Sequence, residues 1–285
     1  MCNTFTDQTQ VVVTGSAGRV GRALRAVWGH SVAGLPIVWS ARTPGQGIDL
    51  VWDIGSTDAV SLPNGAICLH LAGQTQGTAM DLAENRHSAC ILSETAQRAQ
   101  AKHVFLMSSV AVYRPGPALI TENQPAAPVS AYGHAKRAAE IAAQSILAGS
   151  RLTILRLGNL AGADTLLTNA RSGPVLLDPV AHQPGGPMRS YIGPHALAGV
   201  LTGLIELAKN GAPIPGILNL AQPPALKMAD LLTAAGADWR FGAPRPGTVP
   251  CVAVDVAQLA SLVALPQTSA ASVAADMASL RGLWP

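Results

Sequence analysis

Charged and aromatic residues are scarce in this chain. Asp, Glu, Lys and Arg make up 12% of its 285 residues and Phe, Trp and Tyr 4%, whereas hydrophobic residues make up 48%. So little charge beside so many apolar side chains excludes a disordered chain and predicts a globule with a sizeable core. The net charge is +3 and no long basic run occurs, so nothing indicates a nucleic acid or a membrane surface as partner.

Cysteines are also few. Cys2, Cys68, Cys90 and Cys251 lie far apart and lack the spacing of metal ligands, so we expect free thiols and no metal site. No uninterrupted apolar run is long enough to span a bilayer. Residues 1–10 are polar and lack the basic and apolar regions of a signal peptide. These observations predict a soluble, cytoplasmic protein.

A glycine-rich loop is the first informative stretch. The run Val11–Val13 is typical of a strand buried on both faces of a parallel sheet, and a helix is predicted after the loop. Glycines there let the chain turn sharply and let the backbone approach a pyrophosphate, which then sits on the helix N-terminus. An ordinary glycine-rich turn is the alternative. The cofactor-binding residues predicted in this loop are Gly15, Ser16, Ala17, Gly18, Arg19, Val20 and Gly21.

The end of the second predicted strand, residues 36–40, bears on which cofactor is bound. A carboxylate there would bind the adenosine ribose and favour NAD, but Ser40 and Arg42 occupy this region. The guanidinium of Arg42 matches the geometry of a 2′-phosphate, which favours NADP; a solvated surface arginine is the alternative. Asp53 ends a third predicted strand, and its carboxylate could accept a hydrogen bond from an adenine amino group.

Tyr132 and Lys136 lie four residues apart in an Ala-rich segment that we predict to be a helix from about 130 to 147, with Ser130 as N-cap. At this spacing they share one helix face. A free phenol has a pKa of about 10. We expect the ammonium one turn away to lower that pKa, so that the pair can exchange a proton with an alcohol or carbonyl. Ser108 and Ser109, after a fifth predicted strand, are expected to face the same cleft or to form a turn.

Motifs along the chain, taken in order, resemble the extended short-chain dehydrogenase/reductase family of nucleotide-sugar epimerases and dehydratases. They are Thr14-Gly15-x-x-Gly18-x-x-Gly21, His70-Leu71-Ala72-Gly73, Asn85, Ser108-Ser109-x-x-Val112-Tyr113, Tyr132-x-x-x-Lys136 and Arg156-Leu157-Gly158-Asn159. The resemblance extends from Val11 to about residue 220. It implies a homodimer formed through helices near 80–100 and 132–147.

Alternating strand and helix signals up to residue 160 predict an α/β fold with a doubly wound parallel sheet. With the resemblance, they imply an NAD(P)-binding Rossmann domain at 1–163 and a smaller substrate-binding lobe at 164–285. The predicted helix near 195–209 and strand near 217–220 would return to the Rossmann domain. Further helices are predicted at 227–235 and 256–263.

The resemblance also implies roles for individual residues. Ser109 would hydrogen-bond the reacting oxygen, Tyr132 would be the acid/base, and Lys136 would bind the nicotinamide ribose and lower the phenol's pKa. Asn85 would support the site, and Tyr113 would pack. The other implied cofactor-binding residues are Asp53, Ile54, Leu71, Ala72, Gly73, Leu157 and Asn159, and the implied substrate-binding residues are Ser109, Asn159 and Arg189.

Departures from the family pattern narrow the reaction. Val110 and Ala111 stand where family dehydratases carry an Asp-Glu pair, so dehydration is disfavoured. The segment Arg189–Ile192 resembles one whose arginine meets a substrate diphosphate, but Gly193–His195 replace the acidic residues that usually follow. Arg189 is therefore expected either to anchor substrate or to form a structural ion pair, and the short lobe favours a smaller substrate.

Together these features predict an NADP-linked oxidoreductase that transfers a hydride at a carbinol or ketone carbon of a sugar, sugar nucleotide or similar small molecule. An epimerase that keeps NAD tightly bound would use the same three residues and is the alternative. A third possibility is a regulator that binds NADP without chemistry, although such proteins commonly lose the tyrosine or the lysine.

Overall fold

The apolar segments of the chain form strands. The computed structural model describes residues 9–56, 60–147, 149, 151–181 and 183–284. Its strands are β1 (Val11–Thr14), β2 (Ser31–Val32), β3 (Leu35–Ala41), β4 (Leu50–Val51), β5 (Ile67–His70), β6 (His103–Ser109), β7 (Leu152–Leu157), β8 (Asn159–Leu160), β9 (Val175–Leu177), β10 (Met188–Arg189), β11 (Tyr191–Ile192), β12 (Ile217–Leu220), β13 (Leu226–Lys227), β14 (Trp239–Phe241) and β15 (Cys251–Val252).

The helices are interspersed among the strands along the chain. They are α1 (Arg19–Trp28), α2 (Ala79–Arg98), α3 (Ala131–Ile146), α4 (Thr165–Ser172), α5 (Pro194–Lys209), α6 (Met228–Ala234), α7 (Ala257–Leu262) and α8 (Ala270–Ser279), with short 3₁₀ helices at Val110–Val112 and Arg281–Leu283. The helices predicted near 80–100, 130–147 and 195–209 are confirmed. Helices α4 and α8 and the short strands β2, β8, β9, β10, β11, β13, β14 and β15 had not been predicted.

The central sheet has eight strands in the order β12-β7-β6-β5-β1-β3-β2, with β4 paired to β3. Every pair is parallel except β2 with β3. The predicted doubly wound parallel α/β fold is confirmed. Because all these parallel strands end at one edge, the loops after β1, β3, β5, β6 and β7 meet there.

Helices cover both faces of the sheet, as the continuous burial of β1 and β5 requires. Val11 and Val13 pack on the face covered by α1 and α5, whereas Val12 packs on the face covered by α2 and α3. The alternation follows from the two-residue period of a strand. Helix α3 is thereby fixed beside β6 and β7, which places its first turn over the strand ends.

The residues after β8 form a lobe of small sheets, ordered β13-β10-β15, β11-β8 and β14-β9. A separate apolar cluster, with members on α4, α6 and α8, forms its interior. The chain returns from the lobe to the central sheet, because β12 pairs with β7 and α5 packs on α1. No helix in the described part of the chain is long and apolar enough to cross a membrane.

Candidate active site

The first turn of α3 lies directly against the turn that follows β6. Ser130 caps the helix, its Oγ accepting a hydrogen bond from the Gly133 N–H at 3.1 Å. A Cβ at Gly133 would overlap the carbonyl oxygen of Ala111, so only glycine permits this approach. Close contact at Gly133 brings Tyr132 to Ser109, the last residue of β6.

The phenol of Tyr132 is largely removed from water. Burial raises its pKa, while a hydrogen bond with Ser109 and the positive charge of Arg19 act in the opposite direction. The sequence-based expectation that Lys136 would lower this pKa was wrong, because burial outweighs the neighbouring charge and that charge is Arg19. A raised pKa keeps the phenol protonated at neutral pH.

Lys136 is buried one helical turn further on. Its Nζ donates to the carbonyl oxygen of Met107 at 3.1 Å, and burial lowers its pKa to about 8 although the charge of Glu140 opposes the change. A Cβ at Gly73 would lie 2.9 Å from this Nζ and 2.5 Å from Oδ1 of Asn85. The ammonium therefore lies against the backbone that follows β5.

Glu140 forms a buried ion pair beneath Lys136. Its carboxylate is fully buried and accepts from Nε and Nη2 of Arg156 at 3.0 and 2.8 Å, and from Arg137 at 2.9 Å. It also accepts a 2.6 Å hydrogen bond from the hydroxyl of Ser108. Ser108 was expected to face the cleft beside Ser109, but successive residues of a strand point to opposite faces, and only Ser109 lies at Tyr132.

The same network extends to Tyr113. The guanidinium of Arg156 lies 4.6 Å from the centroid of the Tyr113 ring, whose hydroxyl donates to Oδ1 of Asn219 at 2.9 Å. Tyr113 is buried, which supports the packing role expected of it. The network ties β6, α3, β7 and β12 together behind the candidate catalytic residues.

His70 joins the ends of β1 and β5. Its Nδ1 lies 2.7 Å from the hydroxyl of Thr14, and its Nε2 lies 3.4 Å from the hydroxyl of Ser88 on α2. Burial, with the charge of Lys136 in second place, lowers the pKa of His70 to about 3. The imidazole is therefore neutral and holds the strand ends in position.

A cavity of about 360 Å³ lies at the ends of β1, β3, β4 and β5. Among its lining residues are many of the predicted cofactor-binding residues: Gly15, Ala17, Gly18, Ser40, Arg42, Asp53, Ile54, Leu71, Ala72 and Gly73. Ser16, Val20 and Gly21 instead support the loop, Ser16 through a hydrogen bond to Val13 O and Val20 by packing on the core. A Cβ at Gly15 would lie 2.5 Å from Ala72 N, so the glycine loop presses on the end of β5.

Several cavity residues had escaped the sequence analysis, namely Trp52, Gly55, Gln74, Glu84 and Ser88. Trp52 adjoins the predicted Asp53, so proximity in sequence was a usable signal for it. Glu84 and Ser88 lie one turn apart on α2, and only the packing of that helix shows which of its faces meets the cavity.

The predicted substrate-binding residues lie in different surroundings. Asn159, predicted to bind both cofactor and substrate, opens β8, and its backbone N–H donates to Ser190 O at 2.8 Å. Leu157, predicted to bind the cofactor, ends β7 and is buried. Arg189 lies on β10, where its guanidinium donates to the carbonyl oxygens of Met188 and Val249 at 2.8 and 2.9 Å. Among the described residues, no carboxylate forms the ion pair that was the alternative for Arg189. Its anchoring of substrate stays a prediction.

The site suits a nicotinamide dinucleotide. Gly15 and Gly73 line the cavity, and a Cβ at either would overlap neighbouring protein atoms. Helix α1 begins without a side-chain cap or an acidic residue in its first turn. Its free N–H groups can therefore receive a pyrophosphate. Asn85 Oδ1 is buried without a hydrogen-bond partner, while its amide donates to Gln74 O and Leu82 O. Among the described residues, no cluster of His, Cys, Asp or Glu could hold a metal ion.

Comparison with known protein families agrees with this geometry. Residues 11–176 match the model of the NAD dependent epimerase/dehydratase family. The chain belongs to this family. Membership identifies it as an enzyme of the NAD-dependent epimerase/dehydratase type, as the ordered motifs had predicted. No curated protein sequence matches the chain.

Solved structures of the same fold cover the chain almost completely. MoeE5 in complex with UDP-glucose and NAD is 21% identical, with a TM-score of 0.75 over 96% of this chain and 99% of that one. UDP-glucose 4-epimerase from Bifidobacterium longum, in complex with NAD⁺ and UDP, is 17% identical, with a TM-score of 0.74 over 96% and 98%. DesIV, a dTDP-glucose 4,6-dehydratase from Streptomyces venezuelae, is 18% identical, with a TM-score of 0.72 over 97% and 99%. At these identities the likeness establishes a Rossmann-type fold.

Proposed function

We propose that this family member transfers a hydride between a nicotinamide cofactor and a carbinol or ketone carbon of a sugar, sugar nucleotide or similar small molecule. The observation that carries the proposal is the meeting of Ser109 and Tyr132 beside Lys136 at the end of the cofactor cleft. The nicotinamide, when bound, supplies or accepts the hydride.

In this proposal, protein side chains donate and accept the proton. Ser109 would hydrogen-bond the reacting oxygen and hold it at the phenol of Tyr132, which donates or takes the proton as the carbon gains or loses its hydride. Lys136 would bind the nicotinamide ribose through the N–H donors that Met107 O leaves available. Burial raises the pKa of Tyr132, so the phenol is available as the proton donor that carbonyl reduction needs.

The dehydratases that the sequence resembles carry an Asp-Glu pair directly after the residue that corresponds to Ser109. Val110 and Ala111 occupy those positions in a short 3₁₀ helix, and neither carries a titratable group. This composition supports oxidoreduction over dehydration. An epimerase would use the same residues without net turnover of cofactor.

Replacing Tyr132 by Phe tests the proposal. The Tyr132→Phe variant should lose turnover by at least about 100-fold, because it loses the proton donor, yet bind NADP⁺ or NAD⁺ with nearly unchanged affinity. Steady-state rates and a fluorescence titration with cofactor measure the two effects. Undiminished turnover in this variant would reject the assignment, whereas wild-type protein that purifies with stoichiometric NAD and consumes none would identify an epimerase.

We further propose a preference for NADP. Ser40 and Arg42 line the cavity after β3 without a carboxylate at the strand end. A charge-assisted contact between Arg42 and a 2′-phosphate would make the ratio of the NAD⁺ to the NADP⁺ dissociation constant exceed one. In Arg42→Gln that ratio should fall by roughly tenfold or more. An unchanged ratio would show that Arg42 is a solvated surface residue.

The protein is also proposed to be a cytoplasmic homodimer joined through α2 and α3, with residues 164–285 as the substrate-binding lobe. These helices pack on each other and expose Met80 and Ile141, which are 81% and 53% accessible. Light scattering should give twice the mass of the chain, and Ile141→Asp should give a monomer. A monomeric wild-type protein would contradict the assembly.

A further inference from the structure

The side chain of Arg19 connects the start of α1 to the loop after β8. Arg19 is the first residue of α1, and its Nη1 donates to the carbonyl oxygen of Ala163 at 2.6 Å. Ala163 follows β8, which continues from β7, whereas α1 follows β1. In the sheet β5 and β6 lie between β1 and β7. The Arg19 side chain therefore joins elements on either side of β5, which Gly73 follows, and β6, which ends at Ser109.

The positive charge of Arg19 acts on Tyr132: it lowers the pKa of the phenol, although burial raises that pKa by more. Among the described residues, no carboxylate oxygen lies within 4.0 Å of the guanidinium nitrogens of Arg19, so Arg19 forms no ion pair there. Asp164, the acid next to Ala163, uses its oxygens to accept from Gly162 N and Leu167 N. The hydrogen-bond partner of the guanidinium is thus a backbone carbonyl, and an arginine has further N–H donors that a ligand can use.

We propose that Arg19 binds a carboxylate carried by the substrate on the same ring or chain as the reacting carbinol. The substrate would then be a sugar acid or similar small hydroxy acid, and this inference rests on the proposed hydride transfer. The residue expected to meet a nucleotide diphosphate, Arg189, spends guanidinium donors on Met188 O and Val249 O. A planar guanidinium matches the geometry of a carboxylate, which favours an acid at Arg19 over a neutral sugar.

Calorimetric titration of the intact chain saturated with NADP⁺ tests this proposal directly. The probes are glucuronate, galacturonate and mannuronate, each beside its parent hexose, and UDP-glucose. At least one uronate should bind more tightly than both its parent hexose and UDP-glucose. In Arg19→Gln the ratio of uronate to hexose affinity should fall by roughly 10- to 150-fold, and Arg19→Lys should retain part of it.

Arg22→Gln is the matched control. Arg22 lies on the same helix but lines a separate cavity with Arg25 and Trp39, so its replacement should leave the uronate-to-hexose ratio as in the wild type. The proposal is overturned if no uronate binds better than its parent hexose, or if UDP-glucose binds best. It is also overturned if Arg19→Gln weakens NADP⁺ and all sugars alike, since the side chain would then serve the cofactor phosphates.

Binding and turnover separate this inference from the proposed function. Arg19-dependent uronate binding without turnover by wild-type protein would reject hydride transfer and leave the carboxylate site standing. Turnover of neutral sugars that depends on Tyr132 but not on Arg19 would support hydride transfer and reject the carboxylate site.

Discussion

Glu140→Gln should both destabilise the protein and change the titration of Lys136. The substitution keeps the shape of the side chain but removes the charge that faces Arg156, which is 2% exposed. Glu140 accepts from Arg156 at 3.0 and 2.8 Å and from Ser108 at 2.6 Å. An amide offers one oxygen in place of two and leaves a buried guanidinium without its counter-charge.

The expected size follows from the burial of both partners. Removing one member of a buried ion pair costs about 3–5 kcal/mol, because the remaining charge stays desolvated. For a chain of this size, that loss lowers the melting temperature by roughly 6–20 °C. Glu94→Gln is the matched control, since Glu94 is exposed on α2 and should change the melting temperature by less than about 2 °C.

Lys136 provides a second readout. Its pKa is lowered to about 8 by burial, and the charge of Glu140 raises it against that effect. Without Glu140 the pKa should fall further, so the alkaline limb of the pH–rate profile should move to lower pH. Thermal melts and rates over a pH series measure both effects. Wild-type stability in Glu140→Gln would refute the ion-pair argument, and an unmoved alkaline limb would refute the coupling to Lys136.

Three further substitutions test local features. Gly133→Ala should reduce kcat about 100-fold, because a Cβ overlaps Ala111 O and displaces Tyr132 from Ser109, whereas Gly199→Ala on α5, where nothing lies within 4 Å, should retain the wild-type rate. Gly73→Ala should weaken cofactor binding at least about tenfold in a fluorescence titration, since its Cβ would lie 2.5 Å from Asn85 Oδ1. Gly116→Ala, with open space around it, is the control, and equal cofactor affinities of the two variants would contradict the close approach at Gly73. Burial raises the pKa of Asp164 to about 6. As the pH rises toward that value, the carboxyl group loses its proton in the unfolded chain before it does so in the folded protein, and the folded protein therefore becomes less stable. Asp164→Asn should remove this decrease of stability with pH, measured as the melting temperature at a series of pH values between about 4 and about 7. An unchanged decrease would show that other groups cause it.

Local pattern predicted much of the fold and the candidate site. The strand Val11–Val13, the glycine loop after it and the Ser130 cap before Tyr132 are determined by short-range physics, namely β-branched packing, glycine backbone freedom and side-chain capping. The helix α8 also had a local signal, the Ser269–Ser272 capping box, which the sequence analysis did not use.

Contacts between distant segments were beyond local pattern. The prediction that Lys136 would lower the pKa of Tyr132 was wrong, because the burial of the phenol and the approach of Arg19 are properties of the packed protein. Similarly, the adjacent Ser108 and Ser109 look equivalent in sequence, but the pleat of β6 sends one to Glu140 and leaves the other at the cleft.

The sequence by itself determined that parallel strands would carry a glycine loop, a serine and a Tyr-x-x-x-Lys helix to one edge of a sheet. Periodicity and glycine spacing encode those elements within a few residues. Only the tertiary structure decided that Arg19 reaches Ala163 and that Arg156 neutralises Glu140 beneath Lys136. The partners in each pair come from separate elements, and their meeting depends on how the strands are ordered and the helices packed.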